Sequence, residues 1–134
     1  MLKTGILNPA LLALLARIRH TNRLVIADRG FPSWKDLETV DISLVDGIPT
    51  VLQVLEAVRA NLDIEQIYMA EEFNIENTPE MKTRFVRAMD GIPVTFEPHV
   101  EFKTRVPEAI GLIRTGDTVQ YANMILVSGR VGHP

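Results

Sequence analysis

The stretch NPALLALLARIRHTNRLVIADRG, residues 8–30, sets a helical pattern directly against a strand pattern. Asn8 is a candidate N-cap, and Pro9 follows at the first helical position, where its missing N–H costs nothing. Leu11, Leu14, Leu15 and Ile18 repeat at the spacing of one buried helix face. The run RLVIAD that follows is rich in branched apolar residues and is bounded by Gly30 and Pro32. It reads as a strand buried on both faces. His20 closes the first element and Asp28 the second. Packed side by side, the two elements would bring both groups to one rim. Each residue also has a plain structural reading. A histidine at a helix C-terminus gains about 0.3–1 kcal/mol from the macrodipole. An aspartate before glycine makes a turn with the N–H groups of Gly30 or Phe31.

The same alternation continues outward. LETVDISL reads as a second strand or extended segment, and IPTVLQVLEAVRANL as a helix burying Leu52, Leu55 and Val58. EQIYMAE is a strand. NTPEMKTRFVRAMDG is a helix capped by Thr78 before Pro79 and stopped at Gly91. PVTFEP is a strand, EFKTR and PEAIGLIRTG are helical with a break at Pro107, and ANMILVSG is the last strand. Helices and strands in alternation predict an α/β fold: residues 1–134 as a single domain, with a mostly parallel central sheet flanked by helices. Asp28, the pair Glu71 and Glu72, and His99 each follow a strand, the rim where ligands bind in open α/β sheets. Solvated loop residues would give the same pattern.

Composition narrows the function. With 46% apolar and 23% charged residues the chain is ordinary for a globular domain. The net charge of −3 argues against a nucleic-acid partner. There is no cysteine, so no disulfide framework and no thiolate metal site. His20, His99 and His133 have no metal-ligand spacing, and the tail RVGHP gives His133 no role. Phosphate-binding loops, dinucleotide fingerprints and nucleophile elbows are absent. No window reaches the roughly 18 apolar residues of a membrane span, and no secretory pattern opens the chain. The expectation is a soluble cytoplasmic protein without metal or cofactor.

Five blocks, taken in order, carry a resemblance: GILNPALLALLARIRHTNRLVIADRGFP, VDISLVDGIPTVLQVLEAV, AEE at Ala70–Glu72, PHVEFK at Pro98–Lys103 and IRTGDTVQYANMIL at Ile113–Leu126. Together they resemble the ribose pyranase and fucose mutarotase family of sugar isomerases, closer to the ribose branch. Trp34 and Lys35 depart from that branch, and FP is similar to the fucose branch.

The resemblance implies an isomerase that interconverts ring forms of a free monosaccharide, first D-ribopyranose and D-ribofuranose. An L-fucose-type anomer mutarotase is the alternative, and a non-catalytic sugar-binding or ring-scaffold protein is the alternative of another class. Opening a hemiacetal needs a base on the anomeric hydroxyl and an acid on the ring oxygen, help worth about 10²–10⁴-fold. By resemblance His20 is the catalytic acid/base and Asp28 a substrate-binding carboxylate that could also hold the imidazole in one tautomer. His99, Lys103, Tyr121, Ala122 and Asn123 correspond to sugar-binding positions, Ala122 through its backbone alone. The family also implies a ring-shaped homo-oligomer, pentamer or decamer, with sites at subunit boundaries.

Overall fold

A computed structural model of the chain describes residues 1–130; His133 lies outside them. The elements are α1 (Pro9–Arg17), β1 (Arg23–Ala27), β2 (Thr39–Asp41), α2 (Val51–Arg59), β3 (Ile64–Ala70), α3 (Glu72–Glu76), α4 (Pro79–Met89), β4 (Val94–Glu97), α5 (His99–Arg105), a 3-10 turn (Val106–Glu108), β5 (Gly111–Arg114) and β6 (Met124–Ser128). They form one six-stranded sheet of order β2-β5-β1-β6-β3-β4. The β1/β5, β2/β5 and β3/β4 pairs are parallel; β6 runs antiparallel between β1 and β3. The expected α/β domain with a mostly parallel sheet is therefore present, with one reversed strand in its centre.

Helix starts follow the sequence signals. The Asn8 side chain accepts from the Leu11 N–H at 3.1 Å, and Thr78 accepts from Met81 at 3.2 Å. Thr50 and Gln53 form a reciprocal capping box that starts α2 at Val51, two residues after Pro49. Both sheet faces are covered. Leu14 and Leu15 of α1, Val51, Leu55 and Val58 of α2, and Phe85 and Met89 of α4 pack on Leu24, Ile26, Ile67 and Met124. Phe31, Phe102 and Val106 cover Val25, Ala27, Leu112 and Ile125 on the other side. Alternate residues of β1 face the two layers, which explains why LVIA, residues 24–27, is an unbroken apolar run.

One predicted element is overturned. PEAIGLIRTG is not helical: only Val106–Glu108 turns, and Gly111–Arg114 is a strand between β1 and β2. A short apolar run buried on both faces has no periodicity that separates strand from helix. The packing decides. Gly111–Arg114 pairs in parallel with both β1 and β2, and α1 packs closely over its first residue: a Cβ on Gly111 would lie 2.6 Å from Leu14 Cδ1. The short helix α3 carries no advance signal. The first helix also ends earlier than expected, at Arg17 with Ile18 as its C-cap. His20 lies in the following turn, where Thr21 adopts φ 71°.

Candidate functional site

Because β6 is reversed, its first residues emerge at the rim where β1, β3 and β4 end. Asp28 after β1, Glu72 after β3, His99 after β4 and the Gln120–Asn123 segment before β6 therefore share one edge of the sheet. A cavity of about 300 Å³ opens there, lined by Asp28, Gly30, Phe31, Pro32, His99, Gln120, Tyr121 and Asn123. A wider groove of about 470 Å³ between α2 and α4 is lined by Arg59, Arg84 and Arg87 with Glu56 and Asp90. It lacks the half-buried, perturbed carboxylate and imidazole of the rim cavity.

Asp28 and Asn123 are locked together. Asn123 Oδ1 accepts the Asp28 backbone N–H at 2.7 Å, and Asn123 is buried. Asp28 Oδ1 accepts the Gly30 N–H at 3.0 Å, so the anticipated turn and the site role coexist in one carboxylate. Burial raises the Asp28 pKa above its ordinary value; the Gly30 and Phe31 amides and Asn123 oppose it, and nearby Asp117 adds to it. The loop behind Asp28 is held by Arg114, whose guanidinium donates to the Phe31 carbonyl at 2.5 Å.

His99 opens α5, and its backbone N–H donates to the Glu72 carboxylate at 3.0 Å. Its ring is stacked 6.0 Å from Phe102 and meets Tyr121 edge-on at 5.1 Å and Phe31 at 6.3 Å. Desolvation lowers its pKa, with Lys103 acting in the same direction and Glu72 and Asp28 against it. Tyr121 sits at φ 55°, a left-handed conformation uncommon for a bulky residue. Asn77 Nδ2 donates to the Gln120 carbonyl at 2.9 Å and anchors that turn. Among the described residues, no three His, Asp or Glu side chains group as a metal site.

The structure thus brings together Asp28, His99, Tyr121 and Asn123. Ala122 is fully buried in the core beneath them. Lys103, half-buried one helical turn beyond His99, does not line the cavity and acts through its charge. The expectation that His20 and Asp28 face one another is not met within the chain. They flank the same strand, and five extended residues separate its ends by roughly 16 Å. His20 lies at the opposite rim, with its Nε2 3.6 Å from Glu65 Oε2 at the start of β3. Asp28 therefore cannot orient the His20 ring of its own chain. Gln120 and Arg114 were not legible as site residues, because their roles depend on contacts between distant segments.

Comparison with known proteins places the fold. The model of the RbsD / FucU transport protein family matches residues 1–131. A D-ribose pyranase of Geobacillus kaustophilus is 46% identical over 129 residues, covering 96% of this chain and 94% of that protein. One from Geobacillus thermodenitrificans is 43% identical, covering 96% and 97%. The structure of Bacillus subtilis RbsD complexed with D-ribose superimposes with a TM-score of 0.87 at 32% identity, covering 98% of this chain and 99% of that one. The fucose mutarotase of Streptococcus pneumoniae, in complex with L-fucose, shares the fold with a TM-score of 0.78 at 22% identity, covering 92% and 94%. On the full-length family match and relatives of this identity, the chain belongs to the RbsD / FucU transport protein family.

Proposed function

We propose that this protein is a D-ribose pyranase, an isomerase that exchanges the pyranose and furanose forms of the free sugar. One observation carries the reading. A small rim cavity holds a carboxylate, an imidazole, a phenol and a carboxamide, groups that between them donate and accept hydrogen bonds to a polyol. The relatives named D-ribose pyranase favour ribose over a deoxyhexose.

In this reading Asp28, less acidic than an exposed carboxylate, takes the anomeric proton while a second group protonates the ring oxygen. The open aldehyde turns, and a different hydroxyl closes on it. The second group is His20 of the neighbouring subunit. His20 is about half exposed and one sheet-length from its own chain's cavity. A ring of five subunits, or two such rings stacked, would place one subunit's His20 rim against the next subunit's cavity. Tyr121 and Asn123 orient the sugar from the same side as Asp28. A cytoplasmic location belongs to the same reading.

Saturation-transfer NMR on D-ribose, L-fucose, galactose and glucose tests it. Accelerated exchange between ribopyranose and ribofuranose is expected. Unchanged rates for all four sugars would leave a sugar-binding or scaffold protein.

A further inference from the structure

The His99 imidazole carries an asymmetry that the ring-exchange reading does not by itself require. Its Nδ1 is sealed from solvent and, among the described residues, has no hydrogen-bond partner. The ring is enclosed by Phe102, Phe31 and Tyr121. Nε2 is not sealed in this way, and His99 lines the cavity. A proton on Nδ1 would be a buried donor with nothing to receive it, and orphaned buried N–H groups are rarer than under-satisfied acceptors. The imidazolium is disfavoured for the same reason, since it must carry that proton as well as the one on Nε2.

We infer that His99 is held as the neutral Nε2–H tautomer and serves the sugar as a fixed hydrogen-bond donor rather than as an acid or base. This rests on the ring-exchange reading for its substrate and adds the direction of the contact. The surroundings agree. Phe102 and Phe31 exclude water from the ring, and Lys103, one turn along α5, opposes a second positive charge. Glu72 and Asp28 favour the cation, but the Glu72 carboxylate is committed to the His99 backbone N–H. The proton that moves during ring opening is therefore carried elsewhere. The Nε2–H steadies the sugar oxygen on which charge develops, as donors in an oxyanion hole do.

Two measurements decide it. Long-range ¹H–¹⁵N spectra of the ¹⁵N-histidine-labelled protein, with His99 assigned by its loss in His99→Gln, are expected to show a protonated Nε2 and a bare Nδ1. The ring should still be neutral below the ordinary histidine pKa of 6.5. An Nδ1–H pattern, or titration at or above that value, overturns the inference. In exchange assays His99→Gln, whose amide nitrogen falls near the Nε2 position, should stay within about tenfold of the unmodified protein. His99→Asn, whose nitrogen falls near Nδ1, and His99→Ala should lose about 10²-fold. Equal losses in the glutamine and alanine variants, both folded by circular dichroism, overturn the donor role. If the unmodified protein exchanges no sugar, the ring-exchange reading fails, and the ¹⁵N pattern still decides the tautomer.

Discussion

Asp28 sits between two demands. Burial disfavours its charge, while amide donors and Asn123 favour it, and burial is the larger effect. Its pKa is raised in the folded protein, so the native state binds this proton more tightly than the unfolded chain does. Stability from this group is complete below the ordinary value of 3.8 and is lost as pH rises through the folded value. At neutral pH the ionised Asp28 therefore weighs against folding. Asp28→Asn keeps an oxygen to accept the Gly30 N–H and removes the charge. It is expected to lose about 10²–10⁴-fold in ring exchange, yet to melt higher than the unmodified protein at pH 7. The stability difference should close as the pH approaches 4. Full exchange activity in this variant would remove Asp28 from proton transfer. His99 has the opposite sign. Its lowered pKa supplies stability above 6.5 that is lost on acidification through the folded value.

At the scale of elements, the segment Thr115–Asp117 ties the site to the frame. The Thr115 hydroxyl donates to the Ala27 carbonyl at 2.8 Å, fixing the end of β1 just before Asp28. Buried Asp117 accepts the Val51 N–H at 2.7 Å, capping the start of α2, and the Val119 N–H at 2.8 Å. Between them, Gly116 passes against the 45–48 turn. A Cβ there would fall 2.3 Å from the Val45 carbonyl oxygen and 2.5 Å from that of Ile48. Backbone cannot yield as a side-chain end can. Gly116→Ala is expected to destabilise by about 1–3 kcal/mol or more, read by urea denaturation, and to weaken sugar exchange through displacement of Asp28. An unchanged unfolding midpoint would show that the 45–48 turn moves freely away from the strand ends.

At the scale of the whole molecule, the separation of His20 from Asp28 means that the proposed proton transfer requires two subunits. His20→Ala and Asp28→Asn, each inactive alone, are expected to regain activity when unfolded together and reassembled. Random mixing in a closed ring leaves about a quarter of the sites with both native groups. Exchange measured by NMR should approach that fraction of the unmodified rate. No recovery from oligomers shown by mass spectrometry to be mixed would remove His20 from the reaction. A monomer in light scattering at micromolar concentration would do the same. Leu44, Val45 and Ile48 are exposed at one turn beside the cavity rim, close to Asp46 and its ion pair with Arg29.

The sequence by itself determined most of the elements and their starts, because caps, prolines and apolar periodicity act over three or four residues. Asn8 before Pro9, Thr78 before Pro79 and the branched run at 23–27 are all local signals. It also marked the rim, since Asp28, Glu72 and His99 follow strands. Only the tertiary structure decided that Gly111–Arg114 is a strand. Burial on both faces erases the period that would separate it from a helix, and parallel pairing with β1 and β2 is the deciding term. Only the tertiary structure, too, decided which ionisable groups meet. His20 and Asp28 are eight positions apart, a separation that a helix would fold into about two turns but that β1 stretches across the sheet. Asp28 and Asn123 are 95 positions apart and share a hydrogen bond, because reversed β6 returns its first residue to the end of β1.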